Sequence, residues 1–260
     1  MEGRLRKAGI DILGEVPWGT HFCQFYQTRE DLLDILLPYF KAGLENNEFC
    51  MWVTSQPLSE KEALKAMRKA VADFDRYLDK GQIEILPHTE WYLRGDSFES
   101  RRVLNGWVDK LDRAIARGFD GLRLTGNTFW LEKEDWRDFV AYEEEVNNII
   151  GRYPMIAMCT YSFDKCRAAE IIDVVGTHQF ALSKREGKWD LIESAEHRRA
   201  VEALKESEAR YRSLFENLIN GFSYHRIITD EAGKPVDYVF VEVNSAFEKL
   251  TGLKRRNIIG

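Results

Sequence analysis

Apolar residues along this chain come in two alternating rhythms. Short unbroken runs at His21–Tyr26, Phe49–Thr54, Ile83–Leu86, Gly121–Thr125 and Met155–Tyr161 alternate with longer stretches whose apolar positions recur every three or four residues. The short runs read as strands covered on both faces, the periodic stretches as amphipathic helices. In the first unit, Leu32, Leu33, Leu36, Leu37 and Phe40 share a helical face after the polar turn Gln27-Thr28-Arg29-Glu30. Gly43 and Asn46-Asn47 read as stop signals before the strand Phe49–Thr54. Ser59 and Glu62 have capping-box spacing for a helix running to about Asp79. Val103, Trp107, Leu111 and Ala114 mark a helix from about Ser100 to Arg117, and Phe139, Val146 and Ile150 mark one opened by Asp135. A short helix over Lys165–Val175 leads to Gln179–Ser183 and Trp189–Ile192, joined by Glu186-Gly187-Lys188 as an antiparallel hairpin. This alternation predicts an α/β fold with a largely parallel sheet and helices on both faces.

The rhythm changes at Glu193. From there to Leu218 the chain is charged, helical and free of Gly and Pro. Val201, Leu204, Glu208, Tyr211, Phe215 and Leu218 recur at alternating spacings of three and four. Such a seam serves either a signalling coiled coil that forms a homodimer or a single helix packed on a neighbouring domain. After Asn220-Gly221, strands Phe222–Thr229 and Val236–Val243 flank a turn, and Asn244-Ser245 caps a short helix, Ala246–Leu250. Two strands bury too little surface to stand alone, so this stretch reads as part of a longer α+β unit. The expected division is a sensory-sized domain over 1–192, a helical linker over 193–218 and a partial unit over 219–260.

Composition narrows the function. Hydrophobic content of 44% and charged content of 31% are those of a soluble globular protein. The net charge of −6, with both signs interleaved, supplies no basic stripe for nucleic acid. No apolar run reaches membrane-spanning length and no signal-peptide core is present, so the expected location is cytoplasmic, away from the membrane. Cys23, Cys50, Cys159 and Cys166 lack CxxC spacing, which suits reduced, buried thiols.

Three kinds of chemistry are open to such a chain. A strand–turn–helix unit is where glycines and a lysine cradle phosphate, yet Tyr26–Asp31 contains neither. Glu30 and Asp31 instead put negative charge at that helix N-terminus, and no carboxylate stands in Arg123-Leu124-Thr125 to hold magnesium. ATP hydrolysis is therefore not expected, and this segment is read as a non-enzyme. His21 and Cys23 share a strand face and form the alternative metal or redox pair, against the plainer reading of cysteines as small buried hydrophobes. On that plainer reading no metal or cofactor is expected. The third option is a small-molecule pocket beyond the carboxyl ends of the strands. The residues arriving there are Tyr26, Gln27, Arg29, Thr54, His88, Glu90, Trp91, Tyr92, Asn127, Trp130 and Tyr161. Glu143-Glu144-Glu145 reads as a solvated helix face.

Two resemblances add to this reading. The stretches His21–Tyr26, Phe40–Leu44, Glu90–Leu93, Gly121–Gly126, Tyr142-Glu143 and Met158–Tyr161 resemble the MEDS domain, the sensory module named for methanogens, methylotrophs and the dichloromethane-response regulator. That family resembles the RecA/KaiC ATPase fold without its catalytic apparatus, and the resemblance implies a sensor of small hydrocarbon derivatives. From about residue 208, the entry helix RYRSLFENL, the Asn-Ser-Ala-Phe helix start and the final Ile-Ile-Gly are similar to the first part of a PAS domain. Together they imply an input module that binds a small effector and relays it to PAS, histidine-kinase or regulator domains. The alternatives are a cofactor-bound sensor using His21 and Cys23, and a non-catalytic, ATPase-like interaction scaffold.

Overall fold

The computed structural model describes residues 5–93, 98–127, 136–193 and 195–260. Two units are distinct, Met1–His197 and Arg198–Gly260. The first begins with β1 (Leu5–Lys7) paired antiparallel to β2 (Glu15–Pro17). This hairpin escapes the apolar pattern because each strand has three residues and one buried position, which in β1 is Arg6. There follow β3 (Thr20–Tyr26), α1 (Arg29–Glu45), β4 (Phe49–Thr54), α2 (Glu60–Ala70), α3 (Phe74–Asp79) and β5 (Ile83–Pro87). Then come the single turn α4 (His88–Trp91), α5 (Ser100–Ala116), β6 (Leu122–Asn127), α6 (Trp136–Ile150) and β7 (Met155–Ser162). The sheet is completed after α7 (Ala168–Thr177) by β8 (Phe180–Arg185) and β9 (Lys188–Glu193).

Seven strands form the sheet in the order β5-β4-β6-β7-β3-β8-β9, parallel throughout except for the antiparallel pair β8–β9. Glu186 and Gly187 both adopt positive φ, the pairing a tight two-residue hairpin turn requires. Alternate side chains of each strand enter different cores. Cys23, Phe25, Met51, Leu124, Cys159 and Tyr161 pack against α5, α6 and α7. Phe22, Tyr26, Cys50, Trp52, Ile156 and Met158 pack against α1, α2 and α3. Both sheet faces are thus covered, which is why the strands lack polar alternation.

Several local expectations change. Ser59 and Glu62 do form a reciprocal capping box, but the helix ends at Ala70. Val71 turns extended with its side chain buried, and Asp73 takes φ +53 before α3 begins. Gly43 does not stop α1, which continues to Glu45 with Asn46 as its cap. A Cβ at Gly43 would lie 2.7 Å from Arg123 Cδ, so this glycine makes room for a buried arginine. That guanidinium meets Glu48 Oε2 at 2.5 Å and donates to the carbonyls of Lys7 and Ala8 at 2.9 and 3.0 Å. Arg6 Nε reaches the other carboxylate oxygen, Glu48 Oε1, at 2.9 Å. Glu48 therefore holds two arginines and ties the β1–β2 hairpin to the sheet.

The second unit takes in most of α8 (Ala195–Asn217), then β10 (Ser223–Thr229), β11 (Pro235–Val243), α9 (Ser245–Thr251) and α10 (Arg255–Ile258). β10 and β11 pair antiparallel. Along the seam of α8, Leu204, Tyr211 and Leu218 are exposed while Phe215 is buried. Asn244 knots this unit together. Its Nδ2 donates to the carbonyls of Phe215 and Asn220 at 3.1 and 3.0 Å. Its Oδ1 accepts from the N–H groups of Phe222 and Phe247 at 2.8 and 2.9 Å.

Candidate functional site

The turn between β3 and α1 is closed by its own residues. Thr28 caps α1 and Asp31 answers it, accepting from the Gln27 and Thr28 N–H groups at 3.3 and 3.0 Å. Lys184 neutralises this carboxylate at 2.9 Å. The N–H groups that would face a phosphate are therefore directed at Asp31.

The residues expected at the carboxyl ends of the strands separate into two places. His88, Glu90, Trp91 and Tyr92 lie on and just after α4, beyond β5, and Thr54 sits beside Pro87 in the sheet register. Tyr26, Gln27 and Arg29 lie beyond β3, four positions away in the strand order. At about 4.8 Å per strand this puts the groups roughly 19 Å apart. Gln27 is exposed and Arg29 pairs with Glu62 at 2.7 Å. Tyr26, Thr54, Tyr92 and Tyr161 are buried in the core instead of lining an opening. Trp130 and the side chain of Asn127 lie outside the described residues.

Around α4, Trp91 borders a cavity while Tyr92 points into the core. Trp91 is half-buried over Gly106, whose absent Cβ would lie 3.0 Å from the indole ring. The Trp91 and Tyr92 carbonyls are held by Arg102 at 2.8 and 2.7 Å. Trp91 Nε1 is buried without a hydrogen-bond partner among the described residues. Leu86, Glu90, Trp91, Leu93 and Lys110 wall a cavity of about 810 Å³ here. A second cavity of about 580 Å³ shares Glu84, Lys110 and Arg113 and also takes in Ile83 of β5. Half-burial lowers the His88 pKa, and a backbone contact with Thr54 only partly opposes it.

A second constellation lies inside the domain, between β3, β7, α6 and α7. His21, Glu143, Cys159 and His178 are all buried, and each offers one ligand atom within 4.8 Å of the others. His21 Nε2 is 3.3 Å from Glu143 Oε2 and 3.4 Å from Cys159 Sγ. Cys159 Sγ and His178 Nε2 lie 3.8 and 3.6 Å from the same carboxylate oxygen. Tyr161 donates to the other, Oε1, at 3.1 Å. Burial, and then the neighbouring His21, push His178 down to about 3, so it is neutral at ordinary pH. Burial pushes Glu143 up, but the His21 hydrogen bond, the two imidazoles and Tyr161 outweigh it and hold the carboxyl below its usual range. Burial and the Glu143 charge push the Cys159 thiol well up.

Cys159, His21 and Asn147 have the connectivity of a thiol, its base and an orienting amide. A raised thiol in a closed interior is the reverse of what a nucleophile needs. Pattern reading paired His21 with Cys23, whereas the cluster contains Cys159. Cys50 packs on the opposite face of the sheet. Glu143 is also a correction, since it is 2% exposed and not on a solvated face. Its position four residues after Phe139 and three before Val146 was the available signal. For His178 no local signal existed.

Residues 20–179 match the profile of the MEDS family, described as the methanogen/methylotroph, DcmR sensory domain. The transcriptional repressor DcmR of Methylorubrum extorquens (strain DSM 6343 / CIP 106787 / DM4) is 27% identical over 175 residues, covering 66% of this chain. The match spans 61% of that repressor's length. Among solved structures, a KaiC-like protein from Pyrococcus horikoshii OT3 is similar at 19% identity and TM-score 0.48, covering 73% of this chain and 85% of that one. The flagellar accessory protein FlaH from Methanocaldococcus jannaschii gives 12% identity and TM-score 0.47 over 72% and 85%. No helix among the described residues is long and apolar enough to cross a membrane.

Proposed function

This chain belongs to the MEDS family, and on that premise we propose that it is the input module of a signal-transduction protein, taking a small, partly apolar effector into the cavity beside Trp91. The family match and the likeness to a transcriptional repressor support a sensory or regulatory role. The observation that carries the effector site is the half-buried Trp91 side chain in the wall of a roomy cavity, between the apolar Leu86 and Leu93. A hydrocarbon derivative would lay its carbon frame against Leu86, Leu93 and the indole ring, with Lys110 at the wall for a polar atom.

The segment senses and does not catalyse in this reading, which the self-closed β3–α1 turn supports. Binding need only favour one of two arrangements of the protein for a response to follow. Helix α8 would pass it to the stretch over 219–260, read as the N-terminal part of a PAS domain. From there it would reach kinase or regulator domains, with the α8 seam available for a homodimer.

Tryptophan fluorescence of the full chain, titrated with short-chain alcohols, ketones and halomethanes, tests the site. A saturable change with one of these classes is expected, weakened about tenfold or more by Trp91→Ala, a loss of about 1.4 kcal/mol. Gly106→Leu, which drives a side chain into the Trp91 ring, should weaken it too. No saturable response, or an equal response in folded variants, would remove the proposal.

A further inference from the structure

The geometry points to a buried metal site, in which His21, Glu143, Cys159 and His178 bind one zinc-like divalent ion through two imidazole nitrogens, a carboxylate oxygen and a thiolate. This goes beyond the effector cavity and shares no residue with its wall.

The distances argue for it. Zinc bonds of about 2.0–2.3 Å in a tetrahedron place neighbouring ligand atoms about 3.3–3.8 Å apart. Four of the six edges of this cluster are 3.3, 3.4, 3.6 and 3.8 Å, and the other two are within 4.8 Å. Two of them, His21 to Glu143 and His21 to Cys159, are also hydrogen-bond distances. Cys159 to Glu143 is a long sulfur hydrogen bond and His178 to Glu143 is too long for one, while both separations are ordinary for ligands sharing an ion.

The surrounding groups fix each ligand's orientation. His178 Nδ1 lies 2.7 Å from the Val174 carbonyl, which can only accept, so that nitrogen carries the proton and Nε2 presents a lone pair. His178 Nε2 is buried and has no hydrogen-bond partner among the described residues. His21 Nδ1 lies 2.8 Å from Asn147 Oδ1, and the amide's other end donates to the Thr177 carbonyl, so Nδ1 carries a proton and Nε2, which contacts Glu143 and Cys159, is the nitrogen that would exchange those contacts for an ion. Tyr161 takes Glu143 Oε1 and leaves Oε2 facing the other three. Both imidazoles thus donate outward through Nδ1 and turn Nε2 inward, the arrangement by which outer-shell partners orient metal-ligating histidines. A cluster serving only packing would pair His178 Nε2.

Charge agrees with geometry. On binding, the Cys159 thiol releases its proton to solvent and both imidazoles bind as neutral rings. A dipositive ion with one thiolate and one carboxylate sums to zero, the net charge that a closed interior tolerates best.

The test uses the full chain, stripped with chelator and then loaded with zinc chloride or, as a spectroscopic probe, cobalt(II) chloride. One equivalent of metal per chain should survive gel filtration. The cobalt form should show intense visible bands of a four-coordinate ion and a thiolate-to-cobalt charge-transfer band. Cys159→Ser should lose the charge-transfer band, and His178→Gln and the outer-shell variant Asn147→Ala should each weaken zinc binding by about 10–100-fold. Trp91→Ala should leave all of this unchanged, which keeps the effector proposal separable. If variants fail to fold, the parent spectrum decides alone. Folded parent protein that retains no metal, or gives only the weak bands of hydrated, six-coordinate cobalt without a sulfur transition, overturns the site. So does an undiminished charge-transfer band in Cys159→Ser.

Discussion

Lys184, near the end of β8, holds its ammonium 2.9 Å from Asp31 Oδ1 while Oδ2 of that carboxylate collects the N–H groups of Gln27 and Thr28. The turn that follows the first strand of the sheet thus carries its own anion and its own counter-charge. Burial pushes the Asp31 carboxyl up, but Lys184, Thr28 and the Gln27 N–H outweigh it and hold the folded value below the usual range. A depressed folded value means stability that is present above about pH 4 and is lost as pH falls through the folded value. Asp31→Asn should cost about 1–2 kcal/mol at pH 7, with the gap to the parent closing below about pH 4. Urea unfolding at a series of pH values measures both, and an unchanging gap would show that the carboxylate's charge is not what matters. With the turn already occupied, magnesium–ATP should leave the melting temperature unmoved.

Gly43 and Gly176 make a contrasting pair of helical glycines. Alanine at an ordinary helical site gains about 1 kcal/mol over glycine. At Gly176 nothing lies within 4 Å of the added carbon, so Gly176→Ala should be neutral or stabilising by up to about 1 kcal/mol. At Gly43 the new carbon meets Arg123 Cδ at 2.7 Å and Cys50 Sγ at 2.8 Å. Arg123 cannot swing aside without releasing Glu48 and the backbone carbonyls it holds. Gly43→Ala should therefore lose about 1–3 kcal/mol despite its better propensity. Denaturant midpoints of the two variants check the opposite signs.

Asn244 makes four hydrogen bonds from a fully buried side chain. Asn244→Ala leaves two carbonyls and two N–H groups without that partner, so a loss of about 2–4 kcal/mol is expected within the second unit. Hydrogen exchange should rise over 222–250 and stay unchanged across β3 to β8. Equal protection in parent and variant would mean that water replaces the amide.

The fold was largely legible because covered strands advertise themselves. Met155–Tyr161 has no polar alternation and β7 is buried along its whole length. Val103, Trp107, Leu111 and Ala114 are indeed the buried stripe of α5. What escaped was polar and non-local. Glu143 belongs to a run of three glutamates, and only its place on the stripe of Phe139 and Val146 separates it from its solvated neighbours. His178 meets His21 across 157 positions of chain, with ring centroids 4.2 Å apart, a meeting that no window of local periodicity contains. Gly43 was misread because a glycine near a helix end is usually a terminator, whereas this one yields space to a side chain from a different strand.

The family match begins at residue 20, whereas the grip on Glu48 and Arg123 begins at Arg6. An expression fragment trimmed to that match would lose one of Glu48's arginines and both upstream carbonyls that Arg123 holds. It would also lose Ala8, Ile10 and Val16 from the layer beneath α1. Glu48 would keep Arg123, but the Arg123 N–H groups that Lys7 and Ala8 accept from would lose those acceptors, a loss of about 1–3 kcal/mol each. A fragment that folds should therefore start at or before Leu5, and a boundary drawn by similarity alone would cut through the hairpin's contacts.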